Sequence, residues 1–254
     1  MNVVQAIILG LVEGVTEFLP VSSTGHMILA GKLLGITQND FVKSFEIIIQ
    51  LGAILAVTLF YARKIVAQKE IIIPVILGFI PTGVIGLVFY HVVKNYLLGN
   101  SMVVIGSLFV GGVIMIIVER WIVRVRNRRS RPFISGRDAI LIGLFQSLAI
   151  IPGVSRSAAT IIGGLLLGIR RENIVEFSFL LAIPTMAAAT ALDLVKNASV
   201  FSSSQAGLLA IGFVVSFVTA LLSIRFLLSY VKTHDFSAFG LYRIIVALVF
   251  FVLR

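Results

Sequence analysis

Two acidic residues and a histidine near the N-terminus have the types and spacing for acid–base or metal chemistry. Glu13 and Glu17 are four residues apart, so their carboxylates would share one face of a helix. His26 follows nine residues after Glu17, beyond the hydroxyl side chains of Ser22, Ser23 and Thr24. Such a set can bind a divalent cation and transfer protons. A structural ion pair is the alternative for the carboxylates, and a structural role is the alternative for the histidine.

A second polar stretch, Pro152-Gly-Val-Ser-Arg-Ser157, has the composition of a phosphate site. Gly153 permits a tight turn, and a helix that restarts near Ser157 would point unpaired N–H groups and its positive dipole end into the loop. Arg156 would add a planar fork for phosphate. Hydroxyl donors would come from Ser155, Ser157 and Thr160. The alternative is that these hydroxyl groups only cap and pack a membrane helix. That alternative does not explain Arg156, a charged residue in the middle of an apolar stretch.

Gln50 is a weaker candidate for substrate binding. It follows Glu46 by four residues, at the outer end of a predicted span. The two would then share one helix face. An interfacial polar pair explains the same spacing equally well.

The elements that position these residues are membrane helices. The chain is 59% hydrophobic and 13% charged, with a mean hydropathy of +1.09, which predicts an all-α integral membrane protein. Six apolar runs predict transmembrane helices near 45–62, 71–90, 102–118, 174–195, 207–230 and 240–253. The stretches 3–34 and 139–169 are broken midway by Pro and Gly. Broken backbone at membrane depth must be buried in protein or line a cavity, so both predict re-entrant helix–loop–helix hairpins.

The two hairpins look like copies of each other. Gly10-Leu-Val-Glu13 and Val21-Ser22 correspond to Gly143-Leu-Phe-Gln146 and Val154-Ser155 at a constant offset of 133 residues. We therefore predict one membrane domain made of two repeats, 1–118 and 139–254, each with one hairpin and three spans. Because three is an odd number of crossings, the second repeat enters the membrane from the opposite face. This is the inverted-topology architecture, which brings broken helices together near the midplane.

Charge sets the predicted orientation and excludes other classes of protein. The net charge is +10, but no base-reading motif is present, so no nucleic-acid partner is expected. Thirteen Lys and Arg fall in predicted loops on one face and five on the other, so the basic face should be cytoplasmic and both termini should be outside. The chain has no Cys, which excludes disulfides and thiol catalysis.

These motifs resemble the undecaprenyl-diphosphate phosphatase family, known also for bacitracin resistance. The family's acidic and P-G-x-S-R-S-x-x-T signatures stand intact as Glu13-Gly-Val-Thr-Glu17 and Pro152-Gly-Val-Ser-Arg-Ser-Ala-Ala-Thr160. Phe18-Leu-Pro-Val-Ser-Ser-Thr-Gly-His26 and Phe45-Glu-Ile-Ile-Ile-Gln-Leu-Gly52 are also similar. The resemblance implies a multi-pass enzyme of the bacterial plasma membrane that hydrolyses undecaprenyl diphosphate, recycling the carrier lipid for cell-wall synthesis. It also implies a divalent cation, Mg²⁺ or Ca²⁺, and a site opening to the outer face.

The residues suggest how such an enzyme would work. Arg156 and the N–H groups of 153–157 would neutralise phosphate charge, Glu13 and Glu17 would hold the cation, and His26 would be the general base. The nucleophile is left open between water and Ser23. We expect the Glu17 carboxylate, the His26 ring and the Arg156 guanidinium to surround one polar cavity.

Two other classes of function fit parts of the same pattern. A secondary transporter or flippase for a polyprenyl phosphate lipid would share the inverted repeat and the phosphate clamp. A purely structural membrane subunit would leave Arg156 and Glu17 unexplained. Membrane lipids are expected partners, and the sequence leaves homo-oligomerisation open.

Overall fold

The computed structural model describes residues 1–37, 39–97, 100–125, 130–196 and 206–252. Within these ranges the chain is all-helical, as predicted, with no β-strand. The described helices are α1 Val3–Thr16, α2 Ser23–Leu33, α3 Asp40–Ala67, α4 Ile72–Val92, α5 Ser101–Val125, α6 Gly136–Ser147, α7 Arg156–Leu166, α8 Arg171–Lys196, α9 Ala206–Tyr230 and α10 Ser237–Val252. Short 3₁₀ turns at Lys69–Ile71 and Leu148–Ile150 and a π-helical turn at Val93–Leu97 complete the described helical structure.

In the described part of the chain, five helices are long and apolar enough to cross a membrane: α3, α4, α5, α8 and α9. They correspond to five of the six predicted spans. The sixth corresponds to α10, whose 16 residues give a length of about 24 Å, short of a hydrocarbon core of about 30 Å. The α3 helix begins earlier than predicted because the Asn39 side chain caps it, accepting a hydrogen bond from the Val42 N–H at 3.0 Å.

Each predicted hairpin is present as two short helices joined by a turn, α1 with α2 and α6 with α7. The second helix of each hairpin begins after a serine with a positive φ, +73° at Ser22 and +74° at Ser155. Both serines cap the helix that follows, and they are separated by the 133 residues found in the sequence repeat. A non-glycine residue in this conformation is strained and persists only where its surroundings hold it.

The first helix of each hairpin packs closely against a long helix of the other half. On α1, a Cβ added to Gly10 would lie 2.7 Å from the Gly212 carbonyl oxygen of α9. On α6, a Cβ added to Gly143 would lie 2.1 Å from the Gly78 carbonyl oxygen of α4. Glycine is required at both positions because any side chain would push the helices apart. Each half of the chain therefore supplies the packing surface for the other half's hairpin.

The contacts also give the relative directions of the helices. Gly10 and Gly14 of α1 meet residues 212 and 216–220 of α9 in increasing order, so these helices run parallel. The α6 and α4 helices run parallel as well, because Gly143 and Gln146 meet Gly78 and Thr82 in the same order.

The other two central pairs are antiparallel. In α3 and α8, Gln50 contacts Thr190 whereas Lys64 contacts Glu176. In α5 and α10, Gly112 lies against Gly240, and Val104 and Leu108 cluster with Ala247 and Phe250.

Candidate functional site

The turns of the two hairpins meet inside the bundle. The Arg156 Nη2 lies 3.0 Å from the Glu17 Oε1, although 139 residues separate them in the chain. The Ser157 hydroxyl donates to the Leu19 carbonyl oxygen at 2.8 Å. Both charged side chains are largely buried, with 11% of Arg156 and 8% of Glu17 exposed. A desolvated pair of this kind interacts strongly, and neither member is tolerated alone.

A cavity of about 860 Å³ opens beside this pair. Most of the residues predicted from the sequence line it: Glu17, Ser22, Ser23, Thr24, Gln50, Gly153, Ser155 and Arg156. The α4 and α8 helices add apolar lining residues, namely Gly83, Gly86, Leu87, Ala188, Ala189 and Leu192. The cavity lining thus combines polar and apolar residues, which suits an amphipathic ligand.

Both oxygens of the Glu17 carboxylate have polar partners. Arg156 binds Oε1, and the Ser23 hydroxyl donates to Oε2 at 2.5 Å. Ser23 is the first residue of α2, so the broken turn after Pro20 folds its hydroxyl back onto the carboxylate that ends α1. A hydroxyl hydrogen-bonded to a carboxylate can lose its proton as it attacks, which is the arrangement of an activated nucleophile.

The His26 ring lies elsewhere, contrary to the expectation that it faces the same cavity. Its Nδ1 is 2.8 Å from the Ser22 carbonyl oxygen, which can only accept, so Nδ1 carries the proton. Its Nε2 is 2.7 Å from the Tyr242 hydroxyl of α10, and the two rings are stacked. His26 is not among the described side chains that line the cavity. The ring bends back one helical turn to reach Ser22, which directs it toward α10.

Three other predicted residues are buried close to the cavity without lining it. Ser157 contacts the Leu19 carbonyl oxygen, and the Thr160 hydroxyl donates to the Arg156 carbonyl oxygen at 2.8 Å. Glu13 interacts electrostatically with Glu17 and Arg156. These side chains support the residues on the wall, and their contact with substrate stays a prediction.

A second polar cluster in the cavity was not predicted. The Gln146 side-chain amide donates to the Thr82 hydroxyl at 2.9 Å and to the Thr185 hydroxyl at 3.1 Å, and all three residues line the cavity. Both threonines follow a proline inside a long helix, in the repeated tripeptide Ile-Pro-Thr of α4 and α8. A proline within an apolar helix was the available signal, since it frees a backbone carbonyl that needs a partner.

The cavity offers oxygen ligands to a metal ion. Among the described residues, no group of three or more His, Cys, Asp and Glu side chains could hold one. The predicted ligands Glu13 and Glu17 supply two carboxylates, a number that fits an ion such as Mg²⁺, whose coordination substrate phosphates and water commonly complete.

Comparison with known proteins gives one family over nearly the whole chain. The family model described as bacitracin resistance protein BacA matches residues 6–249. An undecaprenyl-diphosphatase of Aquifex aeolicus is 49% identical over 249 residues, covering 97% of this chain and 96% of that protein. One from Sulfurihydrogenibium is 46% identical with 99% of both chains covered. One from Campylobacter jejuni subsp. jejuni serotype O:6 is 50% identical over 100% of this chain and 95% of that protein.

Proposed function

From the premise that this chain belongs to the bacitracin resistance protein BacA family, we propose that its cavity binds and hydrolyses undecaprenyl diphosphate. The protein is an undecaprenyl-diphosphatase, which releases inorganic phosphate and returns undecaprenyl phosphate to cell-wall synthesis. The observation that carries the proposal for this chain is the buried Glu17–Arg156 pair on the wall of a cavity that apolar residues of α4 and α8 also line.

The diphosphate head group lies beside the Glu17–Arg156 pair, and the isoprenyl chain leaves along the apolar lining residues of α4 and α8. Arg156 makes a two-point contact with phosphate oxygens, and the N–H groups at the start of α7 add dipole stabilisation. Gln50 and the hydroxyl groups of Ser22 and Thr24 provide further hydrogen bonds. Support comes from the position of all these residues on the cavity wall.

Substrate binding changes the partner of Arg156. In the free protein the guanidinium binds the Glu17 carboxylate, but an arriving phosphate competes for the same fork. Once Arg156 turns to phosphate, the Glu17 carboxylate is released from this hydrogen bond and its oxygens are available to accept a proton from a bonded hydroxyl group. The Ser23 hydroxyl, already bonded to Glu17, is the group that gains from this change.

Ser23 is then the nucleophile for which the geometry gives most support. Its Oγ attacks the terminal phosphorus while its proton passes to Glu17. The bond from that phosphorus to the bridging oxygen breaks, and undecaprenyl phosphate leaves. Water then hydrolyses the phosphoserine, and Arg156 neutralises charge on the phosphoryl oxygens in both steps. If water attacks directly, Glu17 takes its proton instead.

A Mg²⁺ ion would be held by Glu13 and Glu17 together with phosphate oxygens, where it would neutralise charge on the phosphates. His26, predicted as the general base, bonds the Ser22 carbonyl oxygen and so acts on Ser23 by holding the turn that precedes it. Support for both roles comes from the ligand types and the bonds described above.

The same proposal includes the membrane architecture: six spans, two re-entrant hairpins and an inverted repeat of 1–118 and 139–254 in the bacterial inner membrane. The helix directions support it, because hairpin helices in an inverted repeat must run parallel to the long helices that they contact here. The shorter α10 counts as the sixth span, packed antiparallel to α5. The cavity opens to the outer face.

The test is release of inorganic phosphate from undecaprenyl diphosphate by the protein purified in detergent. We expect the Arg156→Lys variant to insert and purify but to lose most activity, because one ammonium group cannot reproduce a planar two-point contact. Arg63→Lys, at an exposed position of α3, is the matched control and should keep its activity. A carrier for the same lipid would release no phosphate in detergent, so absence of release from the wild type would refute hydrolysis.

A further inference from the structure

A buried arginine outside the predicted site lies behind both hairpin turns. Arg243, on α10, is fully buried. All five of its N–H donors bind backbone carbonyl oxygens: Leu108 at 3.4 Å, Pro20 at 3.3 Å, Val154 at 3.0 Å, Ser107 at 3.1 Å and Gly153 at 3.0 Å. One side chain thus joins the first hairpin turn, the second hairpin turn and α5.

The partners of Arg243 are unusual for a buried cation. In the described part of the chain Arg243 forms no ion pair, whereas Arg171, which is only partly buried, binds the Glu119 carboxylate with two nitrogens. A charge without a counter-ion is costly to bury. Carbonyl dipoles satisfy its hydrogen bonds but leave its net charge in place. That positive charge lies close to the loop where a diphosphate is expected.

The geometry of the peptide links Arg243 to the cavity. In a planar trans peptide the N–H points opposite to the C=O. Because the Val154 carbonyl points at Arg243, the Ser155 N–H points away from it. Ser155 lines the cavity and Arg243 does not. Holding the carbonyl therefore aims an N–H donor at the side where phosphate binds.

The same contacts explain how the strained serines persist. Ser155 has a φ of +74° directly after the two carbonyls that Arg243 holds, and Ser22 has a φ of +73° two residues after Pro20. Strained backbone needs surroundings that fix it from several sides. The two turns also meet through the Glu17–Arg156 pair and the Ser157 bond to Leu19, and Arg243 adds bonds to both turns from another side.

We propose that Arg243 is a positioning residue for hydrolysis, which clamps both hairpin turns so that Glu17, Ser23 and Arg156 meet and the Ser155 N–H faces the phosphate. The inference rests on the proposed function. It goes beyond it because Arg243 touches neither substrate nor reacting atoms. Its action passes through the Pro20, Gly153 and Val154 carbonyls.

The test is the Arg243→Lys variant, assayed for kcat, KM and melting temperature in detergent. An ammonium group has three donors and cannot reach five carbonyls on three segments. We expect kcat to fall about 10²-fold, the effect of a displacement of about 1 Å at a reacting centre. The melting temperature should also fall, because at least two buried carbonyls lose their donor, so kcat is measured well below it. Arg171→Lys is the matched control. It loses the two-nitrogen contact with Glu119 and should keep the wild-type kcat.

A double-variant cycle separates positioning from simple stability. Arg243→Lys combined with Arg156→Lys should be little worse than the more damaged single variant, because groups that act as a unit are not additive. Arg243→Gln provides a second, neutral replacement if the lysine variant is not recovered. Additive losses, wild-type kcat in a recovered variant, or failure of both variants to fold would overturn the positioning role. Failure of the wild type to release phosphate would instead refute the proposed function.

Discussion

At the scale of single residues, Glu17 is the side chain on which the site depends most, because it binds both the Arg156 guanidinium and the Ser23 hydroxyl, the candidate nucleophile. Glu17→Gln keeps the shape but removes the charge that binds Arg156 and accepts the Ser23 proton. We expect activity to fall by roughly 10²–10⁴-fold. The measurement is phosphate release, with the exposed Glu172→Gln as control. Wild-type turnover in Glu17→Gln would exclude the carboxylate from the reaction. The double variant Glu17→Gln with Ser23→Ala should be little less active than Glu17→Gln alone, because groups that act as a unit are not additive.

His26 allows a second test at this scale, because its two ring nitrogens are both bonded away from the cavity. His26→Phe keeps a ring stacked on Tyr242 but removes the donor to the Ser22 carbonyl. If the imidazole serves proton transfer or holds the turn, kcat should fall by about 10²-fold or more. Tyr242→Phe retains the imidazole and should keep most of the activity. Equal activity of His26→Phe and wild type would reduce His26 to a packing residue.

Some residues of the site could be predicted from the sequence and others could not. Glu17 and Arg156 were identifiable because a charged side chain in an apolar stretch is itself a signal. Arg243 carries the same signal, but its partners are backbone carbonyls, which every residue type has. The direction of the His26 ring depends on the positive φ of Ser22. That conformation could not be predicted, because serine rarely adopts a positive φ.

At the scale of elements, close contact between helices explains why the hairpins can be short. The α6 helix is held against α4 by Gly143, where a Cβ would lie 2.1 Å from a backbone oxygen that cannot move aside. Gly143→Ala should lower the free energy of unfolding by about 1–3 kcal/mol through overpacking. Thermal unfolding in detergent measures it. The control is Gly106→Ala on α5, where a Cβ meets open space, and it should be neutral or stabilising. Loss of stability in Gly106→Ala with none in Gly143→Ala would contradict the close contact between α6 and α4.

The sequence predicted these elements well where a physical constraint acts on residue type. Proline and glycine close together with serine in the middle of apolar stretches located both hairpins, because such a group favours a turn over a continuous helix. The start of α10 was harder to place, since the helix begins at Ser237, before the predicted span 240–253. The Ile-Pro-Thr tripeptides went unused because proline also occurs in helices that simply bend.

At the scale of the whole molecule, the membrane orientation is open to direct measurement. Because the chain contains no Cys, single cysteines report on accessibility without background. Leu33→Cys lies at the end of α2, the second helix of the first hairpin, and Glu70→Cys lies between α3 and α4. Both positions are exposed. An impermeant thiol reagent should label position 33 from outside and position 70 only after the inner face is opened. Labelling of both positions from one face would refute the topology and the inverted repeat.

The packing of each hairpin against the opposite half also dictates an order of assembly during synthesis. The chain enters the membrane from its N-terminus, so α1 is inserted long before α9, the helix whose glycine face it needs. Arg243 arrives later still, on α10. The first turn must therefore wait, unsupported at membrane depth, until the C-terminal helix is released. A ribosome stalled after α9 would hold a chain that contains both Glu17 and Arg156 but lacks Arg243, the residue that binds the two hairpin turns.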